Sequence, residues 1–385
     1  MATYKILSLD GGGPWALLQA MALQKIYKVD TRGHQVLKDF NLVAANGGGS
    51  ITLAGLIANM PLNAILEDWF MSNNMRRRVF APTRFLNTWF GRGAKYSTSK
   101  KSNTIKAILG DYAERSLSDV HEAVRGETLV AANFLISAYD CGRNRAEFFR
   151  SDRDSACASA TPLDPQLADA IHASTTAPAP LFDSPAEVGD GRFWDGAAAG
   201  LYNPILAALT EAIANRREAK DIRILSIGSG TVQLPIWMNG ENPKLTRGVD
   251  DFPQDLDELT RSVLYDPPES ATFVAHVMLG QPLPAPGVEL PLSGNVVRLS
   301  PLIRPVQKGG KWVPPEGMDD KKFERLAKLE LDAVAPEGVQ LIKALGDVWI
   351  AGAPINQPIR SGRNLRPEIG HETFAAAKAA WEKIR

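Results

Sequence analysis

"FNLVAANGGGSITLAGL", residues 40–56, sets a short apolar run against a glycine cluster and follows it with a second apolar run of helical character. A strand that enters a tight turn of small residues and leaves as a helix is the shape of a nucleophile elbow, which lifts one side chain toward backbone donors. Aligned on the pattern G-x-S-x-G, Ala45-Asn46-Gly47-Gly48-Gly49 begins with a small residue, ends with glycine and places Gly47 at the apex. Covalent acyl transfer needs an oxygen or sulfur nucleophile, and glycine has neither. Ser50 is the nearest hydroxyl, but it falls in the first turn of the expected helix, where a serine more naturally bonds the adjoining loop.

The grammar of this stretch repeats an earlier one. "YKILSLD" (4–10) runs into Gly11-Gly12-Gly13, after which "WALLQAMALQKIYKV" carries a helical period. Two strand–turn–helix units in succession predict parallel α/β architecture with functional loops at the carboxyl ends of the strands. Three glycines at a helix start leave N–H groups uncovered, suited to an oxyanion or a phosphate. Gly11-x-Gly13-x-x-Ala16 also meets the loose dinucleotide fingerprint, although Asp10 would repel a pyrophosphate and no acid-ended second strand follows. Further strands are expected at 128–140, at "RAEFFRS" after the "CGRN" turn, at "RFWD" and at "DIRILSIGSG" (221–230), with helices at "DPQLADAIHAST" and from about Pro204. "DGAAAGLYNP" puts Asp195 at a strand end, where it is either a general base for a nearby hydroxyl or a turn residue.

Composition narrows the rest. The 385 residues carry 43 basic and 43 acidic side chains, so no global field calls for nucleic acid. Cys141 and Cys157 are too few for a disulfide framework, and five scattered histidines show no metal-ligand spacing, which predicts neither metal nor cofactor and a reducing, cytoplasmic setting. The N-terminus lacks the pattern of a secretory leader, and no run reaches the ~18 apolar residues of a spanning helix. One segment departs from neutrality: 69–110 holds nine Lys or Arg and no acid, interleaved with Trp69, Phe70, Phe80, Phe85, Trp89 and Phe90. Cations among aromatics suit an anionic membrane surface, and Arg76, Arg77, Arg78, Trp89 and Phe90 are the expected contacts, in a segment that could also serve as a lid. A solvated basic face over core aromatics is the plainer reading. After residue 232 the chain turns rich in proline and glycine, then helical over 320–347 and 371–385, which divides it into a core (1–232) and a C-terminal extension (233–385).

Taken in order, DGGG at the first strand, the glycine-bounded elbow and the downstream DG…NP turn resemble the patatin-like phospholipases. "FLISAYD", "ADAIHASTTAPAPLF" and "ILSIGSG" add to the likeness, which covers residues 4–231. The resemblance implies a three-layer α/β sandwich with a mainly parallel sheet and a lipid acyl hydrolase acting through a Ser-Asp dyad without histidine. It implies Gly11, Gly12 and Gly13 as the oxyanion hole, Gly47 at the nucleophile position, Asp195 as the base, and a phospholipid or other acyl ester as substrate. The chain departs from the family's D-G-G-G-x-R-G at Trp15 and Ala16, and from the elbow's first glycine at Ala45. Intact machinery around an absent hydroxyl reads as a serine enzyme met without its nucleophile; a noncatalytic lipid-binding protein on the same fold is the alternative.

Overall fold

A computed structural model describes residues 3–83, 94–128, 132–159, 163–178, 180–232, 269–283, 294–329, 332–361 and 367–385. Its centre is an eight-stranded sheet. Strands β1 (Tyr4–Leu9), β2 (Leu42–Ala45), β3 (Asn133–Asp140), β4 (Arg145–Arg150), β5 (Ala186–Val188), β6 (Gly191–Asp195) and β7 (Ile222–Ile227) come in chain order. A two-residue strand, β8 (Thr231–Val232), lies outside the sheet, which is completed by β9 (Val296–Leu299). The spatial order is β5-β6-β3-β2-β1-β7-β9, with β4 paired to β3. The run from β3 to β9 is parallel, and the β3–β4, β3–β6 and β5–β6 pairs are antiparallel.

Period-two alternation sorts the apolar strand residues into two cores. Leu7, Leu9, Val43, Ala45, Leu225 and Val297 face a layer that includes α1 (Leu17–Ile26), α2 (Gly47–Ile57), α3 (Thr98–Leu109), α4 (Leu167–Ser174) and three late helices. Ile6, Leu42, Ala44, Ile224 and Val296 face α5 (Ile205–Ala214) and the helical stretch 269–278. With both faces covered, the strands read as unbroken apolar runs, the composition a buried parallel sheet requires. The three-layer α/β sandwich with a mainly parallel sheet is therefore present, and the strand, turn and helix expected at each motif occupy those positions.

Chain from beyond residue 232 packs on the earlier part. "VVRL" of β9 lies within the tract that reads as loop-like, yet it pairs in parallel with β7, and α6 (Pro336–Ile350) packs on α1. Four residues between Asn295 and Ser300 are too short to stand out by periodicity.

β9 also delivers Arg298 to the carboxyl end of β1. Its guanidinium donates to both Asp10 carboxylate oxygens, at 3.0 and 2.5 Å, and to Ser226 Oγ at 2.7 Å and Gln357 Oε1 at 3.0 Å, in a fully buried cluster. Removing one partner of such a pair leaves an uncompensated charge in a dry site. Arg298→Met is expected to lower stability by about 3–5 kcal/mol in urea denaturation, and adding Asp10→Asn to it should recover part of that loss.

Candidate active site

The two glycine turns meet at the carboxyl ends of β1 and β2. Asp10 N–H donates to the Ile227 carbonyl, and the Asp10 carbonyl accepts from Gly49 N–H at 3.0 Å and from Gln19 Nε2 at 2.7 Å. The elbow helix is thus tied directly to the DGGG loop.

Gly47 takes φ +49°, in the left-handed region that penalises any residue with a Cβ. A Cβ built there would lie 2.9 Å from Asp195 Oδ2 and 3.2 Å from Gly11 Cα. The apex therefore points between the aspartate and the first glycine loop. Asp195 comes from the end of β6, opposite Ala138 of β3, where its N–H donates to the Thr176 carbonyl at 2.7 Å. Its Oδ1 accepts from Asn46 Nδ2 at 2.9 Å and from Ala197 N–H at 2.8 Å, which fixes the plane of the carboxyl and leaves Oδ2 toward position 47. Burial pushes Asp195 up from its ordinary value to about 6, against the opposing pull of the Ala197 and Asn46 hydrogen bonds and of Lys101.

Asn46 is braced in turn by Ser137 Oγ, which donates to its Oδ1 at 2.8 Å. Gly196 makes this contact feasible, since a Cβ there would fall 2.5 Å from Asn46 Oδ1. Beneath the elbow, Ser174 Oγ accepts from Gly47 N–H at 3.1 Å and pairs with Ser50 Oγ at 2.9 Å. Ser50 is completely buried in that pair, as expected of a hydroxyl that supports the loop.

The first glycines divide in role. Gly11 N–H, expected in the oxyanion hole, donates to the Tyr202 carbonyl at 2.8 Å. The N–H groups of Gly12 and Gly13 have no hydrogen-bond partner among the described residues, and both glycines have positive φ.

The basic segment divides as well. Arg76 is not a surface contact: it is 4% exposed, and its guanidinium donates to the carbonyls of Phe70, Met71 and Val334 at 2.8, 2.6 and 3.1 Å. Three backbone carbonyls left over at helix and loop ends supply the acceptors that let a buried arginine replace a hydrated one. Trp69 and Phe70 are core residues, while Arg77 and Arg78 are exposed. Trp89 and Phe90 lie outside the described residues. Sequence reasoning missed Asn46, Ser137, Ser174 and Lys101. A signal existed for Lys101, which shares the buried stripe of α3 with Thr98, Thr104, Ile105 and Leu109.

A mainly parallel three-layer sandwich with a glycine elbow set over a second glycine loop, facing a buried carboxylate, places the chain among α/β proteins whose loops gather at strand ends. The Patatin-like phospholipase family matches residues 7–209, just over half of the chain, and the chain belongs to that family. The family supports lipid hydrolysis in general. No curated protein sequence matches. Among solved structures, VipD from Legionella pneumophila is 12% identical, with 90% of this chain and 67% of that one covered and a TM-score of 0.36. The type III effector protein ExoU is 10% identical, with 100% and 53% covered and a TM-score of 0.33. The complex of full-length SpcU with full-length ExoU from Pseudomonas aeruginosa gives 14%, 70% and 51%, with a TM-score of 0.26. The chain thus spans about half the length of the ExoU chains.

The backbone at Gly47 generates a stability expectation. A side chain at this φ costs on the order of 1–3 kcal/mol, and its Cβ must also displace the Asp195 carboxylate by a few tenths of an ångström. Gly47→Ser should therefore unfold at lower urea than the parent; a serine form of higher stability would show that the elbow is unstrained.

Proposed function

We propose that this chain is a patatin-like lipid acyl hydrolase of Ser-Asp type, in a form that lacks its nucleophile at Gly47 and is inactive as it stands. The observation that carries the reading is the direction of a Cβ at position 47, 2.9 Å from Asp195 Oδ2, an oxygen that no donor among the described residues holds. In the form with serine at this position, Asp195 Oδ2 takes the hydroxyl proton as the oxygen attacks the ester carbonyl. The N–H groups of Gly12 and Gly13 hold the oxyanion, and the proton on Asp195 passes to the departing alcohol. Water, deprotonated by the same carboxylate, then releases the fatty acid.

Gly47→Ser is expected to hydrolyse p-nitrophenyl acyl esters or phospholipid where the parent does not, and adding Asp195→Asn should abolish that gain by at least about a hundredfold, the usual share of a general base. Activity across a range of esters that stays at background in a folded Gly47→Ser protein would favour the noncatalytic lipid-binding alternative. The base works only as carboxylate, so turnover should rise as pH climbs through about 6 and level off above it. A rate independent of pH from 5 to 8 would remove Asp195 from the role.

We also propose that the basic surface around Arg77 and Arg78 docks the protein on anionic lipid from one side. No helix among the described residues is long and apolar enough to cross a membrane. Each cation near such a surface contributes about 1 kcal/mol, so Arg77→Glu with Arg78→Glu should weaken partitioning onto anionic vesicles by at least about tenfold. Binding unaffected by the double reversal or by salt would overturn docking through this surface.

A further inference from the structure

Lys101 is a completely buried lysine on α3, and the reaction described above does not use it. Its Nζ lies 3.1 Å from the His172 carbonyl oxygen, 3.1 Å from Thr175 Oγ1 and 2.5 Å from Thr176 Oγ1, with the Phe182 ring face at 4.3 Å. Each threonine hydroxyl has one proton to give. Thr175 Oγ1 directs its proton to the Ile171 carbonyl at 2.7 Å, and Thr176 Oγ1 directs its own to the His172 carbonyl at 2.5 Å. All three oxygens around Nζ are therefore acceptors. A neutral amine has only two hydrogens and would set its lone pair against the third oxygen, whereas an ammonium matches the site with three. The aromatic face adds attraction for a cation and none for an amine.

No carboxylate among the described residues lies within ion-pair distance of this nitrogen, but Asp195 is the acid whose field reaches it. Two hydrogen bonds through one residue also connect them: Thr176, held by Nζ through its side chain, accepts the Asp195 N–H on its carbonyl at 2.7 Å. We infer that Lys101 is held as a buried ammonium, serving as positioning residue and fixed countercharge for Asp195. It keeps the carboxyl ionised and in register with position 47 in a site that contains no charged histidine.

The surrounding charges leave this role to Lys101. On α4, His172 is driven down to about 2 by burial and by the nearby Lys101 and Lys106 charges, so it stays neutral. Lys106, on the same helix as Lys101, faces Asp169 of α4 at 3.9 Å. Asp183 accepts the Thr98 N–H at the start of α3, and Tyr96 and Lys95 both reach Asp332. Asn46 and Ala197, on the other side of Asp195, are uncharged donors. Burial pulls Lys101 well below an ordinary lysine, and the Asp195 carboxylate pulls it back up. A lysine that only capped the carbonyls of α4 would leave the titration of Asp195 where it is.

The consequence for turnover rests on the base role proposed for Asp195, but the pairing can be read without catalysis. In the protein with Gly47 intact, the Asp195 carboxyl is titrated by carbon-13 NMR, with Asp195→Asn to assign the resonance. Lys101→Met should shift the Asp195 midpoint upward by on the order of one unit, and an unchanged midpoint in the folded variant overturns the inference. Should Lys101→Met fail to fold, the pair is read from the other partner: nitrogen-15 NMR of the Lys101 side chain should show an ammonium at pH 7 that titrates at lower pH in Asp195→Asn. A neutral amine at pH 7, or a Lys101 titration indifferent to Asp195→Asn, overturns it equally. In the Gly47→Ser background, the acid limb of the pH–rate profile should move upward with Lys101→Met. An inactive Gly47→Ser protein would sink the hydrolase reading and leave the two titrations to decide the pairing alone.

Discussion

The buried pair of Asp10 and Arg298 is the interaction on which the site's framework depends. Asp10 closes the first strand, and its backbone carbonyl receives both the elbow helix, through Gly49, and Gln19 of α1. Its side chain is neutralised by a guanidinium 288 residues away. Two ions in a dry interior lose hydration worth several kcal/mol each, so the pair is tolerable only with close geometry and full hydrogen bonding. Ser226 and Gln357 supply that completion. Arg298 and Gln357 both lie beyond the stretch that matches the family, residues 7–209. The glycine loop of the family motif is thus held in place by chain that the motif does not contain, and the last third of the protein is part of the site's support.

A second consequence concerns the elbow. Its shape does not come from the residue at its apex, because Gly47 contributes only a backbone. Asn46 reaches the Asp195 carboxyl, Ser174 accepts the apex N–H, Ser50 pairs with Ser174, and Gly196 clears the space for Asn46. These neighbours over-determine a backbone that a residue with a Cβ would adopt only under strain. Braced from outside in this way, the turn directs position 47 at Asp195.

Much of this was legible in the chain, and the limits are physical. Runs such as "ILSL", "LVAA" and "ILSI" read as strands because both faces of a parallel sheet are apolar, and the glycines after them mark the turns. Asp195 was legible as the acid at a strand end. Composition misled where a charge is paired or capped out of sight. Arg76 sits in a cationic run that reads as solvated surface, yet carbonyls from Phe70, Met71 and Val334 enclose it. Lys101 reads the same way until its phase on α3 is counted, which puts it on the buried side with Ile105. β9 was hidden for a different reason: four residues in a tract rich in glycine and proline carry too little pattern, and the edge of β7 selects them. Long-range partners of this kind leave no local trace.

The balance at Asp195 bears on why a single carboxylate can stand where many hydrolases set a histidine. An aspartate at its ordinary value is too weak a base to draw a proton from a serine near neutrality, and burial alone would keep it protonated and useless. Here burial raises it, while two neutral donors on Oδ1 and the cation at Lys101 draw it back, leaving a group at about 6 that is ionised at neutral pH and more basic than in water. His172 cannot share the work, being driven down to about 2 by burial and by the lysines beside it. The lysine whose charge draws Asp195 down also adds to the burial that lowers the nearest imidazole. Burial and one buried cation act together on both groups, and on the reading proposed above the general-base role falls to the carboxylate.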